Sequence, residues 1–242
     1  PLYSSAASDV YKRQAFANDQ TEIQGAIELT ASIVGLNIDS TVDRNFWSTT
    51  LGALKSSQTL PWVLVFGAKT SVASIADRVR EVAVLANQMG TTLVLYPHWM
   101  TAIETAEESV EIIHRANIGN IKTSLHLCHE LKAGNRDRLA DVVAATLPYL
   151  SLASINGAYT TGYEEQGWDR TITPLDEGDF DVQESYLRPL IESGYAGPIL
   201  LHTFGIKAPP EQHYARSFAA YSAMRRSLGL SAAQAPQRGS TL

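Results

Sequence analysis

The chain has 242 residues, of which 45% are hydrophobic and 18% are charged, and its formal net charge is −6. These values are typical of a globular protein and exclude a generally disordered chain. The acidic balance, with no run of lysine or arginine, argues against nucleic acid as a partner, because negative charge is repelled by the phosphate backbone. No stretch approaches the ~20 apolar residues of a membrane span.

The two ends of the chain differ from its middle. Residues 1–14 (PLYSSAASDVYKRQ) resemble a translated sequencing-adapter segment, so we interpret them as a non-native leader. The alternative is a genuine, frayed terminal segment. Residues 231–242 are poor in apolar side chains and are predicted to be a loose tail, which leaves 15–230 as one domain. The single Cys128 excludes a disulfide framework and favours the cytoplasm, although an upstream signal peptide stays open because the chain starts at Pro1.

Helical and strand-like patterns alternate along the chain. Residues 19–32 carry apolar side chains at helical spacing and predict a helix, and Leu36–Asp39 predicts a short strand. After these, the pattern predicts helices over 43–56, 71–89, 101–116, 135–147, 181–193 and 210–227. It predicts strands over 61–66, 93–96, 121–127, 149–155 and 199–201, and a long polar loop over 157–178.

This alternation, with strands that are apolar throughout, indicates a parallel sheet covered by helices. The predicted class is an α/β protein of the (β/α)8 TIM-barrel type. About six strands are visible where a closed barrel needs eight, and no strand precedes the helix at 19–32. We therefore expect an N-terminally truncated, incomplete barrel. The alternative is an open doubly wound sheet, but no G-x-G-x-x-G turn follows any predicted strand.

Histidines gather where the predicted strands end. In β/α barrels, chemistry is carried out at the carboxyl ends of the strands. Four of the six histidines lie there: His98, His126, His129 and His202. The other two, His114 and His213, lie on predicted helices and are expected at the surface.

Imidazole is both the commonest metal ligand and the usual proton carrier near neutral pH. His126, His129 and His202 are our candidate metal ligands, because three imidazoles around an open position suit Zn²⁺ or another first-row divalent ion. His98 and His202 are the candidate catalytic residues. The alternative is that these histidines bond to backbone groups and fill the barrel mouth.

Other side chains near the strand ends have two interpretations. Trp99 and Trp168 suit an apolar platform for a sugar ring, or lids over the core. Lys69, Arg170 and Lys207 suit a site for phosphate or carboxylate, or solvent-exposed charge. We include Trp99, Trp168 and Lys207 among the candidate substrate-binding residues.

Four segments in order resemble one known family. They are LYPH at 95–98, LHLCHEL at 125–131, PLDEGDFD at 174–181 and GYAGP at 194–198. The series resembles the sugar phosphate isomerase/epimerase family of the xylose isomerase-like TIM barrel superfamily, over about residues 19–228. The resemblance implies a (β/α)8 barrel and a divalent metal, Mn²⁺, Mg²⁺, Co²⁺ or Zn²⁺. It also implies isomerisation or epimerisation of a ketose or polyol, in which the metal polarises a carbonyl while an acid and a base move protons.

The chain departs from that family at the site itself. Tyr96 stands where a metal-binding Glu is usual, and His126 replaces the Asp of an Asp-x-x-His pair that ends at His129. Asn156 stands for a His and His202 for a Glu, so only His129 matches. Tyr96 and Asn156 then become candidate substrate-binding residues. The predicted function is metal-assisted proton transfer on a small sugar or polyol. Assembly of the chain into a homo-oligomer is compatible with the sequence. The alternative is a non-catalytic carbohydrate-binding barrel whose metal site is degenerate.

Overall fold

The computed structural model describes residues 29–68, 70–163 and 167–230. The predicted leader, the tail, Lys69 and most of the helix predicted at 19–32 lie outside these described residues. The sheet contains six strands: β1 Ala31–Asn37, β2 Leu60–Phe66, β3 Leu93–Tyr96, β4 Ile121–His126, β5 Leu150–Ile155 and β6 Ile199–Leu201.

All six strands are parallel, and each pairs with the next one along the chain, in the order β1-β2-β3-β4-β5-β6. The longest register runs from Ala31 opposite Leu60 to Asn37 opposite Phe66. In a doubly wound sheet the order of the strands reverses at a switch point. The strictly sequential order of the strands here therefore confirms the barrel type. No pairing joins β6 to β1 among the described residues, so the six strands that they form make an unclosed barrel.

Helices connect the strands and cover the outside of the sheet. They are α1 Arg44–Ser56, α2 Val72–Gln88, α3 Ala106–Ala116, α4 Leu127–Lys132, α5 Leu139–Thr146, α6 Arg188–Glu192 and α7 Pro210–Ser227. Short 3₁₀ turns lie at Arg136–Arg138 and Leu147–Tyr149, and a π-helical turn, Gln183–Leu187, leads into α6. None of the helices in the described part of the chain is long and apolar enough to span a bilayer.

Side-chain caps set where the helices begin. Asp43 accepts hydrogen bonds from the backbone at the start of α1, and Ser71 does so for α2. At α3, Thr105 and Glu108 form a capping box, in which each side chain accepts from the other's backbone N–H. The helix predicted at 101–116 therefore begins only at Ala106.

Four further local predictions were wrong. Residues 31–32, predicted as the end of a helix, open β1, because seven residues of pairing with β2 outweigh the local helical spacing. That strand ends at Asn37 rather than at Asp39. Leu127 starts the short helix α4 instead of ending a strand, and His213 is buried on α7 at 4% exposure rather than lying at the surface.

The strands have an outer and an inner face, because successive side chains point in opposite directions. Outward residues such as Val63, Leu95 and Leu125 pack under the helices. Inward residues form a separate apolar layer of Trp62, Val94, Tyr96 and Leu152. This inner layer lies directly below the side chains at the carboxyl ends of the strands and packs beneath them.

Candidate active site: a histidine pocket at the strand ends

The inner faces of the strands become polar toward their carboxyl ends. Side chains two positions apart on a strand point to the same face. On β4 the inward residues are Ser124 and then His126, and on β5 they are Leu152 and then Ser154. Asn156, directly after β5, continues the second series. Strand periodicity therefore directs these groups into the barrel above the layer built on Trp62. We call His98, His126, His129, His202 and Trp168 the histidine pocket.

The four predicted histidines come together. The ring centroids of His98 and His129 are 4.1 Å apart, those of His126 and His129 are 5.5 Å apart, and those of His129 and His202 are 5.9 Å apart. His126 and His202 are 6.2 Å apart. Because His98 follows β3 and His202 follows β6, the cluster joins strand ends that are far apart in the sequence.

His98 has a defined protonation pattern. Its Nδ1 lies 2.7 Å from the carbonyl oxygen of Trp99. A carbonyl only accepts, so Nδ1 carries the proton, and Nε2 of the neutral ring keeps its lone pair. The ring is half-buried and stands against His129 and the edge of Trp168. His98 is therefore suited to accept a proton from a bound molecule at Nε2.

Both ring nitrogens of His126 are hydrogen-bonded to serine hydroxyls. Ser124 Oγ lies 2.8 Å from Nε2, and Ser154 Oγ lies 2.8 Å from Nδ1. The ring is also stacked against Trp62 at 5.0 Å and packed against Tyr96 at 4.5 Å between centroids. This histidine is 1% exposed and belongs to the floor of the pocket.

Polar atoms without partners mark the interior of the pocket. Tyr96 Oη lies 3.3 Å from His129 Nε2, while His129 Nδ1 has no hydrogen-bond partner among the described residues. Asn156 donates from Nδ2 to the carbonyls of Gly157 and Thr171, but its Oδ1 is likewise unpartnered within the described chain. Buried polar atoms of this kind are costly unless something hydrogen-bonds to them, so a ligand or a water molecule that bonds to these two atoms would be stabilised.

Burial keeps the pocket neutral. Desolvation lowers the pKa of His98, and it lowers the pKa values of His126 and His129 well below the usual 6.5. Desolvation, with repulsion from His98, lowers the pKa of His202 to about 4. Burial also raises the pKa of Tyr96 far above its usual value, so its phenol stays protonated. At neutral pH the pocket therefore presents uncharged donors and acceptors.

A long loop brings Trp168 to the pocket. Gly157 and Thr173 exchange two backbone hydrogen bonds of 3.0 and 2.9 Å across the base of this loop. A side chain at Gly157 would overlap the carbonyl oxygens of Pro174 and Glu177, so the loop requires glycine there. Trp168 then stands edge-on to His129 at 5.2 Å and to Trp99 at 5.9 Å. Both predicted tryptophans thus line the pocket.

Lys132 was missed by the sequence analysis. It is 8% exposed, and its Nζ lies 4.9 Å from the ring centroid of Trp99 and 5.5 Å from that of Trp168. Cation–π attraction holds the two rings in place beside the histidines. The feature of the sequence that could have identified Lys132 is its position one helical turn after His129 in a buried helix.

Two predicted basic residues lie elsewhere. Lys207 is exposed and borders a separate cavity of about 260 Å³, whose other charged lining residues are Asp169, Glu177 and Arg216. Arg170 stacks 3.7 Å from the ring centroid of Tyr159 and donates to Thr161. Neither contacts the histidine rings.

The residues present do not fit the metal that the resemblance implies. The three candidate ligands are close together, but both nitrogens of His126 are hydrogen-bonded to hydroxyls. The nearby carboxylate, Glu130, accepts from Ala106 N and Asn135 Nδ2 and caps α3. Within the described residues no group of three His, Cys, Asp or Glu side chains has the geometry to hold a metal ion.

Comparisons with known proteins place this chain in a family. A xylose isomerase domain containing protein from Salmonella typhimurium LT2 has a TM-score of 0.68 at 12% identity, covering 87% of this chain and 80% of that one. D-psicose 3-epimerase from Clostridium cellulolyticum H10, solved with D-tagatose, has a TM-score of 0.55 at 17% identity, covering 79% and 74%. The probable 3-DHS dehydratase AsbF from Bacillus anthracis has a TM-score of 0.59 at 14% identity, covering 90% and 83%.

Identities this low show a shared fold rather than a shared reaction. No curated protein matches the sequence. The family model described as "Xylose isomerase-like TIM barrel" matches residues 51–224, which is most of the chain and includes every residue of the histidine pocket. The chain therefore belongs to the xylose isomerase-like TIM barrel family.

Proposed function

We propose that the histidine pocket binds a small ketose or related polyol and that His98 and His202 exchange protons with it, as an isomerase or epimerase does. The observation that carries this proposal is the hydrogen bond from His98 Nδ1 to the Trp99 carbonyl. It leaves Nε2 as a base in a half-buried pocket. A neutral imidazole beside a carbonyl compound is suited to general acid–base chemistry.

The chemistry follows from two proton transfers. His98 Nε2 accepts the proton from the carbon next to the carbonyl, and the electron pair left behind moves onto the carbonyl oxygen. His202, neutral because burial lowers its pKa to about 4, donates a hydrogen bond to that oxygen. Return of a proton to the other face of the same carbon, as the electron pair moves back from the oxygen, gives an epimer. An isomer forms when the proton goes to the former carbonyl carbon instead. The oxygen of that carbon then takes a proton from His202, and the hydroxyl on the first carbon gives its proton to His202 and becomes the new carbonyl.

The walls of the pocket suit a sugar. Trp99 and Trp168 offer apolar faces for the C–H groups of a sugar ring. His129 Nδ1 and Asn156 Oδ1 are buried polar atoms with no partner among the described residues, and substrate hydroxyls would satisfy them. D-psicose 3-epimerase, solved with D-tagatose, shares the fold and supports the choice of substrate class.

A non-catalytic carbohydrate-binding barrel is the second candidate. It is favoured by the strand ends themselves, where Tyr96, His126 and His202 stand at positions at which the resemblance implies carboxylates. A site with no acidic side chain among its described pocket residues has fewer groups to move protons. Binding without turnover is the expected behaviour in that case.

Solvent exchange distinguishes the two candidates. The full chain is incubated in D₂O with a panel of free ketoses, and deuterium at the carbon next to the carbonyl is followed by NMR. The proposal predicts incorporation that is lost in His98→Asn and kept in His114→Asn, a matched change on the exposed face of α3. Saturable sugar binding without incorporation would favour the binding barrel, and neither binding nor incorporation would contradict both.

A further inference from the structure

His126 stands at the strand end where the resemblance implies a metal-binding carboxylate. Each of its two ring nitrogens already has a serine hydroxyl as hydrogen-bond partner. We infer that His126 is fixed as a neutral imidazole protonated at Nε2, and that this ring occupies the metal position so that the pocket works without a divalent ion at β4. The inference rests on the proposed function only in treating the histidine pocket as the working site.

The proton positions follow from counting donors. Ser124 Oγ has one hydrogen, which it donates to the carbonyl oxygen of Leu95 at 2.9 Å. The same oxygen lies 2.8 Å from Trp62 Nε1, whose N–H can only donate. The remaining neighbour of Ser124 Oγ is His126 Nε2, at 2.8 Å, which must therefore also donate. The proton of His126 is thus on Nε2.

The other nitrogen is then an acceptor. Ser154 Oγ lies 2.8 Å from His126 Nδ1 and supplies the hydrogen. Since Ser124 lies on β4 and Ser154 on β5, the ring ties two neighbouring strands together at the registered pair His126 and Ser154. Both nitrogens are satisfied, and no lone pair of His126 is left for a metal ion.

Aromatic packing also prevents the ring from turning away. His126 stacks on Trp62 with an angle of 28° between their planes, and Trp62 itself stacks on Tyr96 at 4.4 Å. A rotation that freed one nitrogen would leave Ser124 Oγ or Ser154 Oγ short of a hydrogen-bond partner inside the barrel. Buried groups that lose partners cost more than exposed ones, so the present arrangement is favoured.

Nitrogen NMR of the full chain tests this directly. The chain is labelled with ¹⁵N, stripped of metal with a chelator, and the ring nitrogens of His126 are assigned by comparison with His126→Asn. We expect the proton on Nε2 and none on Nδ1, unchanged when Zn²⁺ is added in excess. A proton on Nδ1, or a Zn²⁺-dependent shift of either His126 nitrogen at one equivalent of metal, would overturn the inference.

Serine variants test the cause of the tautomer. Ser124→Ala removes the acceptor of the Nε2 proton, so the His126 proton is expected to move to Nδ1 and toward Ser154. The matched control is Ser151→Ala, on the outward face of β5, which should leave the His126 signals unchanged. If Ser124→Ala fails to fold, the zinc titration of the unaltered chain still decides the question. The sugar-exchange experiment is independent, so loss of the proposed function and loss of this inference give different results.

Discussion

The Nδ1 atom of His98 lies 2.7 Å from the carbonyl oxygen of Trp99, the residue that follows it in the chain. A local contact between adjacent residues thus sets which nitrogen of the pocket's most accessible base is free. The same turn is closed by Thr101 Oγ1, which donates to the carbonyl oxygen of His98 at 2.7 Å. The base is therefore held by its own loop, and its orientation does not depend on a bound partner.

Replacing His98 should remove proton transfer but not binding. In His98→Asn the side chain can still hydrogen-bond, but it cannot accept a proton near neutral pH. We expect exchange of solvent deuterium into a ketose to fall by about 100-fold or more, the range typical of general bases. Sugar affinity, measured by calorimetry, should change far less. Equal loss of both would mean that His98 only binds.

The pocket should make stability depend on pH in the acidic range. Burial lowers the pKa of His202 from 6.5 to about 4, so between these values the unfolded chain binds a proton that the folded chain does not. The free energy of unfolding should then fall as pH drops from about 6.5 to about 4, by up to about 1.4 kcal/mol per pH unit for this group.

Urea unfolding of His202→Gln over that pH range measures the effect. The variant should show a smaller slope than the unaltered chain, although it keeps the contributions of His126 and His129. His114→Gln, on the surface of α3, serves as the control and should keep the full slope. Parallel curves for His202→Gln and the unaltered chain would show that His202 does not carry this pH dependence.

Glu130 should have the opposite dependence. It is 1% exposed, and burial raises its pKa from 4.5 to about 7, so the folded chain retains a proton that the unfolded chain loses. Its contribution to stability is complete below pH 4.5 and is lost as pH rises through 7. We expect Glu130→Gln to gain stability relative to the unaltered chain between pH 4.5 and 8, by at most about 3 kcal/mol.

The matched control for Glu130 is Glu111→Gln, an exposed position on α3. Its stability difference from the unaltered chain should stay constant across the same pH range. If the Glu130→Gln difference were equally flat, burial would not raise the pKa of the Glu130 carboxyl against the hydrogen bonds that it accepts from Ala106 and Asn135, which lower that pKa.

Trp168 should contribute to sugar affinity through its ring. Trp168→Ala removes the face beside His129 and Trp99, and aromatic contacts of this kind contribute about 1 kcal/mol beyond their buried area. We expect sugar binding to weaken by about fivefold to tenfold, whereas Trp168→Phe should restore most of the affinity. Phe218→Ala, which truncates an aromatic ring 70% exposed on α7, is the control. Unchanged affinity in Trp168→Ala would remove this residue from the site.

Much of the fold could be predicted from the sequence because strand and helix periodicities are local. The strands Leu93–Tyr96 and Ile199–Leu201 and the helix Pro210–Ser227 lie at their predicted bounds. Strand β1 was misplaced because its start depends on pairing with β2, which a helical spacing at 19–32 does not reveal. His213 was misplaced because burial depends on what packs against a helix.

The site could be predicted in position but not in detail. That His98, His126, His129 and His202 gather follows from their places at strand ends, since parallel strands bring these ends to one side. The environment of each ring depends on residues distant in sequence. Ser154 lies 28 residues from His126, and Trp62 lies 62 residues from Ser124. These contacts distinguish His126, which is a positioning residue, from His98, which is the candidate base. They form only in the folded chain.

The decisive measurement is a crystal structure of the chain soaked with the ketose that exchanges deuterium fastest. We expect the sugar within the histidine pocket, with a C–H next to its carbonyl facing His98 Nε2 and its carbonyl oxygen within hydrogen-bond distance of His202. We also expect the bonds from His126 to Ser124 and Ser154 to persist. Sugar bound only in the separate cavity beside Lys207 would overturn the proposed function, and a metal ion ligated by His126 would overturn the role inferred for that ring.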